Sequence, residues 1–497
     1  MSDTYDKFIN LVCEIGQLDS IAQLLDWDSE TYMPGNGLHV RADQLALTAA
    51  MAHERRSSSR LGDLLSQLEQ SNLDPVQAAN VREIRRLHDR AVKVPAELVR
   101  RIAHAMTLAK DAWGKAREAS SFPTFAPHLE ELLTLKRQVA DLIGYRTERY
   151  DALMDDFEPG ITTAEVAAIF ASLRGPLAAF VRQLTESKRQ PDTSILHRHF
   201  PREAQERFSR RMAEAIGFNF NAGRIDVSKH PFCTGMGPGD VRLTTRYYED
   251  FFNASVFGVL HEAGHGLYEQ GLDPKHVFTP AGQSVSLGVH ESQSRMWENL
   301  VGRSRPFWEA FYPECQKAFP QALGSVSLDA FYGAINRVGP SLIRVEADEV
   351  TYNLHIIVRF ELERAMIDGK LAVKEVPEAW NAKMRELLGV TPPNDREGCL
   401  QDIHWSMGTF GYFPTYALGN LYAAQFFEAA HRAIPDLTDR IRRGELSPLR
   451  EWLRTNIHVL GSRYRAGDLV QRVTGNPLST EPFMRYIHGK FAPIYGL

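Results

Sequence analysis

Residues 253–271 read NASVFGVLHEAGHGLYEQG, and this stretch decides how the rest of the chain is read. Val256, Leu260 and Leu267 give it an apolar anchor, so the pattern predicts a helix from about Asn253 to Gln270 that stops at Gly271. Within it stands His261-Glu262-Ala263-Gly264-His265, an H-E-x-x-H motif. Two histidines four apart on a helix differ by about 40° in azimuth and roughly 6 Å in rise, so both imidazoles can reach one ion. Glu262 lies about 100° round from His261, off the ligand line and suited to hold a water at the open side of that ion. Gly264 and Gly266 each cost the helix roughly 1 kcal/mol relative to alanine, which predicts that another element approaches closely there.

A catalytic zinc takes three protein ligands and leaves one position for water, so a third ligand must come from elsewhere. By residue type the candidates are Glu269, His276, His290, Glu291 and Glu298. Glu291 is favoured because it opens a new amphipathic stretch, His290 to Leu300, and a downstream helix can lay a carboxylate across the first.

Around this motif the chain reads as mostly helical. Thr162 and Glu165 form a capping box ahead of Val166, Ile169, Phe170 and Leu173, with Gly175-Pro176 predicted to interrupt that helix. Leu129, Leu132, Leu133, Val139, Leu142 and Ile143 repeat at helical spacing up to Gly144. Texture changes between about 218 and 250, where glycines precede Val241 to Tyr247, an alternating β-branched and aromatic run that predicts a strand. Ser284 to Val289 is a second extended candidate, so a small sheet is expected beside the helices. A soft boundary is placed near 200, with a helical region 1–200 before a region 201–497 that carries the chemistry.

Composition excludes several classes. The chain has 497 residues, 43% hydrophobic and 24% charged, as an ordinary globular protein does. Its formal net charge of -5 offers no positive excess for phosphate backbones or anionic lipid, so neither nucleic acid nor a membrane is expected as partner. Phe251 to Leu260 is the densest apolar candidate and is too short and too interrupted to span a bilayer. Acidic residues early in the chain and four scattered cysteines, Cys13, Cys233, Cys315 and Cys399, predict a reducing cytoplasm. Arg82, Arg85, Arg86 and Arg90 are interleaved with Glu83 and Asp89 and read as a solvated helix face.

Several further motifs stand in order along the chain. They are His230-Pro231-Phe232; Asp240, Arg242 and Thr244; the H-E-x-x-H; His290-Glu291-Ser292-Gln293; Ile343, Arg344, Ala347 and Asp348; and Gly398, Gln401, Asp402, His404 and Trp405. Trp27-Asp28 with Met33-Pro34, and Gly411 to Tyr416, flank them. With these motifs the sequence resembles, over essentially its whole length, the M32 family of metallocarboxypeptidases. The resemblance implies a mostly α fold, related to neurolysin-like and angiotensin-converting-enzyme-like helical peptidases, with a small β-sheet beside the active-site cleft. It implies Glu291 as third ligand with His261 and His265, one Zn²⁺ per chain that Co²⁺ can replace, and usually a homodimer. Many H-E-x-x-H peptidases place an aspartate four residues beyond the ligand glutamate to orient a histidine. Here that position is Arg295, so the groups that fix the imidazole tautomers must lie elsewhere.

The expected activity is removal of single amino acids from peptides with a free carboxyl terminus. Glu262 would take the water's proton, with His404, Tyr412 and Tyr416 as candidate donors to the oxyanion. Arg344 is the first candidate for the terminal carboxylate, on a predicted helix after Pro340 that also carries Asp348, Thr351 and His355. Arg242 is the second, and His230, Asp348 and Gln401 are further substrate-binding candidates by motif. The competing readings are an oligopeptidase or dipeptidyl carboxypeptidase, and a helical binding protein with a structural metal.

Overall fold

The computed structural model describes residues 2–497, which fall into two compact units interleaved along the chain. One comprises the chain up to Val92, Asp192–Ile335 and Tyr422–Leu478; the other comprises Lys93–Pro191, Asn336–Leu421 and Ser479–Leu497. The border at Pro191–Asp192 falls close to the expected boundary near 200, but the first ninety or so residues belong with the later segments. A contiguous division into 1–200 and 201–497 therefore does not describe the molecule, because packing gathers segments that are distant in sequence.

The first unit holds the only sheet among the described residues, β1 (Gly223–Val227), β2 (Cys233–Gly237) and β3 (Asp240–Thr245), in the order β1-β3-β2. β1 pairs parallel and β2 antiparallel to the central β3, where Val241 and Leu243 are fully buried. The strand predicted at 241–247 is thus present, but Ser284 to Val289 is not a strand. Ser286 accepts a hydrogen bond from the Val289 amide and caps a helix at Leu287–Arg295 instead. The H-E-x-x-H helix spans Phe252–Gly271 and packs beside the sheet. A Cβ on its Gly266 would lie 2.6 Å from the Phe218 ring and 3.0 Å from Leu243, which is the close approach its glycines predicted. Phe252, Trp308, Phe319 and Phe331 form an aromatic core at the start of this helix, where Phe252 meets Phe319 and Phe331 edge to face and Trp308 at a tilt. On the basic helix Pro75–Lys93, Arg85 pairs with Glu69, and Glu83 receives Arg82, Arg86 and Arg465.

The second unit consists of helices joined by loops, with no strand among its described residues. The capping box at Thr162 forms as predicted, but its helix runs unbroken from Thr163 to Glu186 through Gly175-Pro176. Leu173 and Leu177, on either side of the dipeptide, are both fully buried, and their packing outweighs the lost backbone bond. Among the described residues this helix, rather than Phe251 to Leu260, is the one long and apolar enough to cross a membrane by composition. Its Val166, Phe170, Leu173, Leu177, Phe180, Val181 and Leu184 are buried within the unit. The helix Tyr352–Ile367 is buried along almost its whole length. The helix expected directly after Pro340 does not form: Arg344–Glu346 is one tight turn, and regular helix starts only at Tyr352. Asp348 accepts bonds from the Gly339, Val350 and Thr351 amides and from the Thr351 hydroxyl. These bonds end the preceding loop and start the helix, the usual competition of an aspartate with the backbone.

Candidate metal centre

His261 and His265 share one face of their helix, with ring centroids 4.9 Å apart. Glu291, on the helix Leu287–Arg295, brings Oε2 to 3.6 Å from His261 Nε2 and 3.3 Å from His265 Nε2. One donor atom from each of the three residues lies within 4.8 Å of the others. Gly264 makes this crossing possible, since a Cβ there would lie 2.7 Å from the Gln293 carbonyl oxygen and the Ser294 Cα. Two imidazole nitrogens and one carboxylate oxygen converging in this way suit a borderline-soft divalent ion with positions left open, so the residues fit the group that the motif implies.

The other third-ligand candidates take different places around this triad. Glu298 sits on a widened turn, Met296–Val301, and its Oε2 is 2.9 Å from His261 Nδ1. His290 Nδ1 lies 2.5 Å from His265 Nδ1, and its Nε2 is 2.7 Å from Glu269 Oε1. His276 instead lies near Asp273. Arg295 donates from Nε to Glu291 Oε1 at 2.6 Å and from Nη1 to Glu298 Oε2 at 3.3 Å. Glu298, seven residues beyond Glu291 instead of four, thus takes the place of the missing aspartate beside His261, and the arginine at the vacated position bonds to both carboxylates. Glu298, Glu269 and His290 were legible as metal-type residues, but their place behind the ligands was not.

Electrostatics follow from burial and these partners. Burial alone would raise the Glu291 carboxyl, but Arg295 and the two histidines hold it well below the carboxylate range. Glu298 is likewise brought down to about 2, against burial, by Arg295 and His261. Burial lowers the His265 imidazole to about 3, with His290 and His261 adding to the effect against Glu291. Glu262 is 6% exposed, and burial, with Glu291 and Glu298 nearby, pushes it up to about 7 against the pull of His261. A carboxylate poised near neutrality beside a convergent ligand set is equipped to accept and return a proton.

In the same unit Arg242 forks onto Asp240 through two bonds of 2.9 Å, and its guanidinium lies 4.2 Å from the Trp27 ring centroid. Arg224 lies over the same ring at 5.3 Å. Thr244 accepts from the Ser228 hydroxyl and the Phe232 amide, which fixes the loop carrying His230; that histidine is exposed.

The second unit gathers its own cluster. Arg344 is buried and donates from Nε and Nη2 to Asp402 Oδ1, at 2.9 and 2.7 Å, and from Nη1 to the Tyr352 hydroxyl. Arg344 and Asp348, which the sequence pattern places on one helix, are instead separated by a tight turn and a loop. Arg359 donates to Asp402 Oδ2 at 2.6 Å, so two guanidiniums share one carboxylate and hold it far below its ordinary range despite burial. Gln401 accepts from the Arg344 amide and Arg359 and donates to the Leu342, Glu397 and Gly398 carbonyls. Its amide and the Asp348 carboxylate are thus committed to the protein itself, unlike the substrate contacts expected of them. His404 packs against Phe413 and Tyr412, with Nε2 3.5 Å from the Tyr416 hydroxyl and a buried Nδ1 that has no hydrogen-bond partner among the described residues. Burial, with Arg344 and Arg359, lowers this imidazole to about 4.

The fold and the ligand set define a helical metallopeptidase of the H-E-x-x-H type. The chain belongs to the carboxypeptidase Taq (M32) metallopeptidase family, whose model matches residues 7–491. It is 47% identical to thermostable carboxypeptidase 1 of Thermus thermophilus over 99% of both chains, and 37% identical to carboxypeptidase 1 of Bacillus subtilis over 99% of both. Among solved structures, the M32 carboxypeptidase of Deinococcus radiodurans matches with a TM-score of 0.97 at 40% identity over 100% of both chains. Metallocarboxypeptidase 1 of Trypanosoma cruzi matches at 0.93 and 36% identity, over 99% of this chain and 100% of that one. The protein is accordingly a metallocarboxypeptidase, a peptide hydrolase.

Proposed function

We propose that the protein is a zinc enzyme, with Co²⁺ able to substitute, in which His261, His265 and Glu291 hold one ion and Glu262 is the general base. The observation that carries this is the convergence of the two Nε2 atoms and Glu291 Oε2 on one point, with Glu262 next along the same helix. Zinc bound there would supply a Lewis acid that acidifies a water and polarises the scissile carbonyl. Glu262 takes the proton from the attacking water and returns it to the leaving amine, a shuttle that its pKa near 7 favours at neutral pH. We assign stabilisation of the oxyanion to His404, Tyr412 and Tyr416, whose side chains cluster within the second unit.

The terminal carboxylate of the substrate is assigned to Arg344, with Arg242 as the second guanidinium and His230 as an exposed companion. What supports Arg344 is charge: Asp402 neutralises only one of the two arginines it binds, leaving an excess positive charge in a buried setting. The substrates are then peptides with a free carboxyl terminus, trimmed one residue at a time. Four free cysteines support a reducing, cytoplasmic location, and the homodimer expected from sequence is retained as part of the proposal. Mass spectrometry of products from one peptide and its carboxyl-terminal amide tests this reading. Single-residue trimming confined to the free acid is expected, whereas internal or dipeptide cuts, or equal cleavage of the amide, would overturn it.

A further inference from the structure

The two histidine ligands are backed differently. His261 Nδ1 meets a carboxylate directly, Glu298, which Arg295 and Arg303 hold in turn. His265 Nδ1 meets another imidazole, His290, and only that ring reaches a carboxylate, Glu269. Two ring nitrogens 2.5 Å apart share a single proton between them. If His265 offers the Nε2 lone pair toward Glu291's side, its proton sits on Nδ1 and must be donated to His290. His290 then accepts on Nδ1, so its own proton is on Nε2, where Glu269 Oε1 receives it at 2.7 Å. Every donor in this chain has one acceptor, and reversing either ring breaks one of the two bonds.

The relay is built in from three sides. Glu269 stands one helical turn beyond His265 on the same helix, and His290 directly precedes the ligand Glu291 on the crossing helix. β2 closes over the carboxylate: a Cβ at Gly235 would lie 2.6 Å from Glu269 Oε2 and 3.1 Å from its Cδ. The Tyr268 ring packs on His290 with centroids 5.2 Å apart. These contacts restrict the His290 ring to the orientation that faces both partners.

We propose that Glu269 and His290 are positioning residues that lock His265 in the tautomer and orientation of an Nε2 metal ligand. The inference rests on the metal triad of the proposed function and extends it to the groups behind the ligands. Its test reads metal binding, not hydrolysis: the full-length chain is equilibrated with zinc against a competing chelator, and its affinity is compared across variants. His290→Phe keeps a flat ring but neither bond, and should weaken binding by about 10- to 100-fold. His290→Gln can accept from His265 and donate to Glu269, so it should recover most of that loss. Glu269→Gln, which keeps an acceptor without the charge, should fall between the wild type and His290→Phe.

A packing role alone would make His290→Phe at least as good as His290→Gln. Equal affinity for the wild type and His290→Phe, or equal losses in the Phe and Gln variants, would overturn the relay. If His290→Phe does not fold, Glu269→Gln decides, and wild-type affinity there overturns it. A wild-type chain that binds no zinc would instead sink the metal reading beneath it, and the product assay above fails or succeeds independently of either.

Discussion

Arg295 donates to Glu291 at 2.6 Å and lies one helical turn beyond it, so the cation that occupies the position of an expected orienting aspartate acts on the carboxylate proposed as ligand. A ligand carboxylate must be ionised to bind, and protons compete with the metal for it. Arg295 opposes the proton, since it is the largest of the influences that lower Glu291 against burial. Arg295→Met should therefore raise the pH at which metal is released as the solution is acidified. Bound metal measured across an acid titration checks this; an unchanged release midpoint would show that Arg295 acts on neither carboxylate.

Glu262→Gln is expected to keep the fold and the metal and to lose at least about 10²-fold in kcat, because the amide cannot accept the water's proton. Glu262 is not among the converging ligand atoms, so metal content should match the wild type. Metal analysis and turnover on one peptide, measured together, separate this from loss of the site.

For Arg344, burial changes which variant is informative. Arg344→Ala would leave Asp402 with Arg359 alone and the Tyr352 hydroxyl without its donor, so part of any loss would be stability. Arg344→Lys keeps the charge but not the fork. It should fold and lower kcat/KM by roughly 30-fold or more on a free-acid peptide while changing little on the amide. Equal losses on both substrates would move the carboxylate assignment to Arg242.

What was legible in the sequence were features carried by local spacing. The motif helix, the Thr162 and Glu165 cap, and the close approach at Gly264 and Gly266 all follow from periodicity or from a glycine whose cost needs a reason. Three local signals were overridden, one by packing and two by side chains that bind nearby backbone amides. Gly175-Pro176 stays helical because buried leucines flank it. Ser284 to Val289 alternates like a strand, yet Ser286 is a helix cap, a signal that three-residue spacing to the Val289 amide could have given. The stripe Arg344, Asp348, Thr351 and His355 has helical spacing, yet Asp348 binds backbone amides and breaks the helix there. The shell behind the metal ligands was illegible for another reason: a widened turn shifts Glu298 off the ordinary helical register, and no sequence period encodes it.

The last prediction concerns Glu363, a fully buried carboxyl on the helix Tyr352–Ile367 that accepts bonds from the Tyr150 hydroxyl, the Trp405 indole and the Gly411 amide. Trp405 and Gly411 bracket the segment between His404 and Tyr412, so this one carboxyl ties both ends of the loop that presents the candidate oxyanion donors. Burial raises its pKa to about 7, although all three donors oppose the rise. An unfolded glutamate titrates near 4.3, so the folded chain binds this proton more tightly than the unfolded one. The sign follows from linkage: the penalty for the ionised form is fully present above about pH 7, shrinks as pH falls, and is gone below the unfolded value. Glu363→Gln has no proton to lose. The stability of the wild type relative to Glu363→Gln should therefore rise by about 3 kcal/mol between pH 8 and pH 4, at up to ~1.4 kcal/mol per pH unit between the two pKa values. Denaturant unfolding of both chains across that range measures it. A difference that does not vary with pH would mean that Glu363 titrates alike in the folded and unfolded chains, and that its three hydrogen bonds fully offset its burial.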